Sequence, residues 1–351
     1  MSRFFSERYK NLVPYVPGEQ PKDKKYVKLN TNESPFGVSE KAKEEALKAL
    51  EDLRLYPDPD SSLLCARIAE AYDVLPENVF VSNGSDEALN FAFMAFCSES
   101  CPAVFPDITY GFYPVFSEIN SLPYQIIPLR EDFSIPTEEF IKAKGTLIIA
   151  NPNAPTGLLL GTDAIERMVR SDLNRVVIVD EAYIDFGGKS SVGLTKKYDN
   201  LLVVQTFSKS RSMAGARLGF AIGNRELIRD LNTLKYSTNP YNVDRLAQAL
   251  GIGALKDEEY FRKNCAAIIE NREYLTQRLL GMGFNVIPSM ANFVFARNPR
   301  IPGKNLYLGL KEKGVLVRYF DRDRLKDYVR ISIGTKDQLD ILLDRISEIL
   351  S

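Results

Sequence analysis

The stretch TFSKSRSMAGARLGF, residues 206–220, sets one lysine between two serines in a polar loop, with an arginine eight residues on. Before it runs LLVVQTF (201–207) and after it RLGFAIG (217–223), both strand-like and apolar. A lysine at the end of an apolar strand is more than a surface charge. Thr206, Ser208 and Arg217 can bind phosphate oxygens through hydroxyls and a charge-assisted fork, which leaves the Lys209 amine free to form an imine.

Working outward, apolar runs of the same kind recur: NVFVS (78–82), PAVF (102–105), QIIPL (125–129), GTLIIAN (145–151) and RVVIVDE (175–181). Helical patterns separate them. EKAKEEALKALEDLRLY (40–56) carries Ala42, Ala46, Leu47, Leu50 and Leu53 at helical spacing, SDEALNFAFMAF (85–96) reads as a helix, and GFYPVFSEIN (111–120) as a helix interrupted by proline. This alternation predicts an α/β fold with a mainly parallel mixed sheet sandwiched by helices, and a ligand at the carboxyl ends of its strands. After about residue 240 the pattern changes to one long helical stretch (242–283), short strands and a closing helix, KDQLDILLDRISEIL (336–350). The expected organisation is an N-terminal arm, 1–38, joining a small domain; a large domain, 39–240; and a small α+β domain, 241–351.

At 351 residues the chain is long enough for two lobes. Its 45 Lys and Arg against 46 Asp and Glu give a net charge of -1, so no global field draws it to nucleic acid or an anionic membrane. No run of about 18 apolar residues and no signal-like core occurs, and four cysteines suit a reducing compartment, so a cytoplasmic protein is expected. The chain has no histidine, which removes Ser-His-Asp and Cys-His catalysis and His-ligated metals. Acid-base work falls to Lys, Tyr, Asp or Glu, and no metal is expected.

VVIVDEAY (176–183) resembles a Walker B strand, but the nearest candidate phosphate loop, GGKSS (187–191), follows it and lacks the first glycine. No GxGxxG stands between an early strand and helix. Asp180, ending an apolar strand, therefore needs another partner: a structural cation or a cationic ring nitrogen on a cofactor. SNGSDE (82–87) places a Gly-Ser turn at a helix N-terminus, where unpaired N–H groups make an anion site. NPNAPTG (151–157) fixes an unusual loop at another strand's carboxyl end. A phosphate cradle, an imine-forming lysine, a carboxylate for a ring nitrogen and a phenol, Tyr183, are together what a pyridoxal 5'-phosphate site must supply.

With these pieces the chain resembles the fold-type I pyridoxal-phosphate aminotransferases, class-II-like, and most closely the histidinol-phosphate aminotransferase family. The resemblance covers nearly the whole chain. Its motifs stand in the family's order: LNTNESPFG (29–37), YPDPD (56–60), NGSDEAL (83–89), PDITYGFY (106–113), NPNAPTG, VVIVDEAY and the lysine stretch. ANFVFAR (291–297), GVLVRYF (314–320) and YVRISIGT (328–335) complete the set.

The resemblance implies a role for each matching residue. Lys209 is the lysine that binds pyridoxal 5'-phosphate covalently, Asp180 the partner of its ring nitrogen, and Tyr183 a donor to its phenolate oxygen. Tyr110 stacks on the ring. Gly84, Ser85 and Asp86 hold the phosphate with Thr206, Ser208 and Arg217, and Tyr56 reaches in from the neighbouring subunit of a homodimer. Arg330 takes the substrate's anionic end, with Arg318 and Tyr15 helping on a phosphate and Asn32 lining the pocket. One position departs from the family: Ala154 stands directly before Pro-Thr-Gly, where an Asn often bonds the ring oxygen. Either Asn153 substitutes or Tyr183 acts alone.

The implied reaction is transamination of L-histidinol phosphate with 2-oxoglutarate, a step of histidine biosynthesis whose partners are small molecules. An aromatic or other amino-acid aminotransferase, a threonine-phosphate decarboxylase and a non-catalytic aminotransferase-like regulatory module are the alternatives.

Overall fold

The computed structural model describes residues 2–351. The chain enters through an irregular arm and forms β1 (Val27–Lys28), which pairs in parallel with Val315–Leu316 almost three hundred residues later. Helix α1 (Glu40–Leu50) is capped by the Ser39 side chain, which accepts from the Ala42 N–H. It ends before Leu53 and Leu55, both exposed, so the helix expected to residue 56 has no apolar face to bury there. Helix α2 (Ser62–Tyr72), not anticipated from the sequence, follows.

The central unit then alternates strand and helix: β2 (Val79–Asn83), α3 (Gly84–Phe96), β3 (Ala103–Pro106), α4 (Phe112–Ile119), β4 (Tyr124–Ile127) and α5 (Thr137–Lys142). It continues through β5 (Thr146–Ala150), α6 (Thr162–Arg170), β6 (Val177–Asp180), β7 (Leu201–Thr206), β8 (Leu218–Gly223) and α7 (Arg225–Thr238). Pro114 falls in the first turn of α4, where its missing N–H breaks nothing, so the helix is continuous. The strands form one sheet in the order β2-β8-β7-β6-β5-β3-β4. All neighbours run parallel except β8, which is antiparallel to both β2 and β7. The expected mainly parallel sheet is therefore found, and β8 is its antiparallel member.

Strands β5, β6 and β7 are buried at every position, and their side chains divide between two helical layers by the pleat. Leu147, Ile149, Val177, Val179, Leu201 and Val203 pack with Ile68 of α2 and Ile165 and Met168 of α6. Ile148, Ala150, Ile178, Leu202 and Val204 face the other way, towards Leu89 and Phe93 of α3, Tyr113 and Phe116 of α4, and Leu231 of α7. By the same alternation Asp180 lies on the α3–α4 side.

Beyond residue 240 the expected single helical stretch breaks at Lys256 and Asp257 into α8 (Arg245–Leu255) and α9 (Glu258–Gly281). Strands β9 (Asn285–Ile287), β10 (Phe293–Arg297), helix α10 (Gly303–Glu312), β11 (Val315–Leu316), β12 (Arg318–Tyr319), β13 (Val329–Ser332) and α11 (Lys336–Leu350) complete the chain. β12-β13-β10-β9 make an antiparallel sheet, and a second core joins Ile268 and Leu275 of α9 to Leu310, Ile331 and Leu342. The division into domains at residue 240 stands as a proposal; α8 itself packs against α1 and α2, beside the larger sheet. Among the described residues no helix is long and apolar enough to cross a membrane.

The α8–α1 contact depends on glycine. A Cβ at Gly253 would lie 2.4 Å from the Lys41 carbonyl oxygen and 2.5 Å from the Ala42 Cα. Gly253→Ala should therefore destabilise the fold by about 1–3 kcal/mol in urea unfolding, despite alanine's better helix propensity. Gly281→Ala, at a helical position with open space around it, should be neutral or stabilising.

Candidate active site

Three chain segments meet at the carboxyl edge of the sheet because β5, β6 and β7 run side by side in register. Ala150 sits opposite Asp180, and Asp180 opposite Val204. The loops that follow are NPNAPTG, DEAY and TFSKS. The first is held in shape by its own asparagines: Asn151 Nδ2 donates to the Leu160 carbonyl at 2.9 Å and its Oδ1 accepts from Leu160 N at 2.8 Å. Asn153 Nδ2 donates inward to the Ile108 carbonyl at 2.9 Å.

These loops enclose a cavity of about 280 Å³. Lys209, Asp180, Tyr183 and Tyr110 line it, together with Thr206, Ser208, Ser85, Asp86 and Arg217. Asp180 is almost fully buried; its Oδ2 accepts from the Tyr113 hydroxyl at 2.9 Å and its Oδ1 from the Ala182 N–H at 3.2 Å. Burial pushes its carboxyl up to about 6, against the pull of those two donors. Burial, followed by the Arg330 guanidinium, brings the Lys209 amine down to about 8. That amine donates to the Thr31 carbonyl at 3.3 Å. The Tyr183 oxygen accepts from Asn32 Nδ2 at 3.1 Å, which leaves its own proton free to donate.

One end of the cavity is built for an anion. Gly84, at φ +75°, opens α3, and a Cβ there would stand 2.5 Å from Arg217 Nη2. Only glycine allows the guanidinium to lie across the helix N-terminus. Arg217, itself at φ +50°, pairs with Asp86 Oδ2 at 3.0 Å, and Tyr110 donates to Asp86 Oδ1 at 2.7 Å. The first turn of α3, two hydroxyl side chains and a guanidinium thus line the same cavity, the kinds of group that bind an anion.

A second cavity of about 490 Å³ opens from the first, sharing Lys209, Tyr183, Tyr110 and Ala154. Tyr15, Asn32, Arg318 and Arg330 line it, as does Arg322. The Arg330 guanidinium lies 5.2 Å from the Phe293 ring centroid and 5.5 Å from that of Phe320. Its Nη2 donates to the Asn30 carbonyl at 3.2 Å, while its buried Nε–H has no partner among the described residues. Arg318 bonds the carbonyls of Val16 and Pro17, tying the N-terminal arm over this cavity.

Three residues singled out from the sequence lie outside both cavities: Gly84, which stands behind the Arg217 guanidinium, Tyr56 and Asn153. Tyr56 is 76% exposed and stacks on Tyr241 at 4.5 Å. Asn153 is buried with its amide turned to Ile108, and Ala154 takes the place at the cavity wall. Sequence reasoning also missed contributors. Thr31 and Glu33 belong to the LNTNESPFG motif yet lacked a role; both line the first cavity, and Glu33 pairs with Lys28 at 2.6 Å. Tyr113 stands three residues after Tyr110, a spacing at a helix start that could have been examined for a second phenol. Glu181 and the serines of GGKSS form a buried network: Ser190 donates to Glu181 at 2.5 Å and Ser191 N at 2.6 Å. That loop thus packs the strand end and holds no nucleotide signature.

The lowered amine gives a direct expectation. In the full-length protein freed of cofactor, acylation of Lys209 should rise with pH through a midpoint near 8, below the ordinary ~10.4 of lysine. Arg330→Ala removes a nearby cation and should move that midpoint up. A midpoint near the ordinary lysine value in the parent protein would contradict the burial of this amine.

Comparison with known proteins identifies the family. The sequence model of the family "Aminotransferase class I and II" matches residues 24–346. A histidinol-phosphate aminotransferase of Clostridium botulinum (strain Okra / Type B1) is 48% identical over 353 residues, covering 100% of this chain and 99% of the relative. One of Brachyspira hyodysenteriae (strain ATCC 49526 / WA1) is 49% identical over 352 residues, with the same coverage. Among solved structures, the histidinol-phosphate aminotransferase of Sinorhizobium meliloti in complex with pyridoxal-5'-phosphate superimposes with a TM-score of 0.90 at 20% identity, covering 100% of this chain and 98% of that one, which shows a common fold. With its full length matched at this level of identity, the chain belongs to the class I and II aminotransferases and, within them, to the histidinol-phosphate aminotransferase family.

Proposed function

We propose that this chain is a pyridoxal 5'-phosphate-dependent transaminase that moves the amino group of L-histidinol phosphate to 2-oxoglutarate, giving imidazole-acetol phosphate and L-glutamate. One observation carries the reading. A buried lysine, a buried carboxylate, a free phenol proton and an anion cradle share one cavity, which opens into a second lined by Arg318, Arg322 and Arg330. The donor set fits the cofactor: the cradle of Gly84, Ser85, Asp86, Thr206, Ser208 and Arg217 suits its phosphate, and Gly84 makes room for that cradle. When bound, pyridoxal phosphate supplies a carbon that takes up the amino group and a ring that accepts electrons from the substrate.

The chain's own residues do the rest. Lys209 would be the covalent anchor and, with its amine free, the base that takes the proton from the substrate's carbon. A pKa near 8 suits both duties, because neutral and charged forms lie close in free energy at working pH. Asp180, ionised above about 6, would pair with the ring nitrogen and favour its protonated form. Tyr183 donates to the ring's phenolate oxygen; with Ala154 offering no donor and the Asn153 amide committed to Ile108, it acts there without an asparagine partner. Tyr110, at the cavity wall, would stack on the ring. No step needs an imidazole, in keeping with a chain that has none.

The two substrates end in a phosphate and a carboxylate, and arginine forks accept both. Arg330, with an unpaired Nε–H, receives the anionic end, while Arg318 and Tyr15 add contacts for a phosphate and Asn32 lines the wall. We further propose a homodimer of cytoplasmic location. Tyr56 and its sequence neighbours Leu47, Leu50, Leu53, Leu55 and Leu63 are all exposed, an apolar surface that suits burial against a second copy. Tyr56 would then complete the partner's phosphate site.

A panel of single half-reactions tests the substrate. Histidinol phosphate should convert the enzyme to its aminated form faster than phenylalanine or tyrosine, and threonine phosphate should release no carbon dioxide. Faster turnover of an aromatic amino acid, or decarboxylation, would replace the reading. Arg330→Ala should lower kcat/KM for histidinol phosphate by on the order of 30- to 100-fold, the effect of removing charge-assisted bonds to a desolvated anion. Unchanged kinetics would place the anion elsewhere.

A further inference from the structure

Asp180 is reached from behind the cavity by a phenol that touches neither cavity. Tyr113, in the first turn of α4, is fully buried, with Phe93 and Phe105 at centroid distances of 6.1 and 5.7 Å. Its hydroxyl donates its one proton to Asp180 Oδ2 at 2.9 Å. The pleat of β6 explains the meeting: Asp180 projects to the same face as Ile178, which is the face α4 covers. Tyr110, three residues earlier, sends its ring into the cavity and its hydroxyl to Asp86. One short segment therefore serves both the cavity wall and the carboxylate beneath it.

We infer that Tyr113 is a positioning residue, whose hydroxyl fixes the Asp180 carboxylate in one orientation and keeps it ionised so that the anion faces the ring nitrogen of bound pyridoxal phosphate. The inference rests on Asp180 as the ring-nitrogen partner. Its physical basis is that an anion buried this deeply is stable only with donors on its oxygens. Asp180 has two, the Tyr113 hydroxyl and the Ala182 N–H. Burial raises its carboxyl, Tyr113 is foremost among the groups that lower it, Asp86 raises it and Lys209 lowers it. Tyr110 and Tyr183 are the other titratable groups on this side, and both are held neutral by burial. Without the hydroxyl, Oδ2 loses this donor, and the acid takes up a proton at higher pH. A neutral acid no longer holds a cation in place.

Tyr113→Phe removes one oxygen and keeps the ring, so the packing around α4 is preserved and the melting temperature reports whether the fold survives. In the full-length protein freed of cofactor, the infrared band of the protonated Asp180 carboxyl, identified by its loss in Asp180→Asn, is followed against pH. Its midpoint should lie higher in Tyr113→Phe than in the parent. Affinity for pyridoxal phosphate should fall on the order of tenfold, as for loss of a hydrogen bond to a charged group. The same substitution made in Asp180→Ala should cost no further affinity. An unmoved midpoint, or an equal affinity loss in both backgrounds, overturns the inference and leaves Tyr113 a packing residue. If Asp180→Ala binds pyridoxal phosphate as tightly as the parent, the ring-nitrogen assignment itself is overturned, and the midpoint still reports separately whether the phenol controls the carboxylate.

Discussion

The parallel register of β5, β6 and β7 is the constraint on which the site depends. Parallel strands in register end together, so Ala150, Asp180 and Val204 bring three loops to one edge. None of these strands exposes a residue, which makes the edge rigid and poor in water. Rigidity places Lys209, Asp180 and Tyr183 around one cavity. Scarcity of water then shifts their protonation towards one another: the carboxyl rises to about 6 and the amine falls to about 8. Two groups that differ by more than six in water are brought within reach of a neutral solvent by the same burial.

Glycines and hydroxyls translate that edge into an anion site. Gly84 lets Arg217 cross the N-terminus of α3, and Arg217 immediately precedes β8, the antiparallel member of the sheet. Gly219 in β8 completes the fit, because a Cβ there would stand 2.3 Å from the Ser85 nitrogen. The opening loop and the SNGSDE turn thus meet through glycine on both sides. Arg217 holds Asp86, and Asp86 holds Tyr110, so the Arg217 guanidinium and the Tyr110 phenol are fixed by one chain of contacts.

Much of this was legible in the amino-acid order, for reasons that differ by element. β5, β6 and β7 declare themselves because a strand buried on both faces must be a continuous apolar run. Lys209, Asp180, Tyr183 and Arg217 stand out because polar residues at the ends of such runs need a reason to be there. The antiparallel direction of β8 was not legible, since periodicity carries no direction. Helix α2 was hidden because SLLCARIAEAY follows a turn-rich stretch, and the split between α8 and α9 because both halves have helical spacing and only tertiary packing separates them. Tyr113 escaped for another reason: its partner is 67 residues away, and a fully buried tyrosine looks like any other core aromatic. Asn153 attracted notice as the neighbour of Ala154, yet the turn of the loop sends adjacent side chains to opposite sides.

The central claim is that Lys209 alone joins the chain covalently to pyridoxal phosphate. Borohydride reduction of the cofactor-saturated protein, followed by peptide mapping in a mass spectrometer, tests it most directly. The account predicts one modified peptide, with the pyridoxyl phosphate mass on Lys209, and none in Lys209→Ala. The modification on another lysine, or its persistence in Lys209→Ala, would contradict the account.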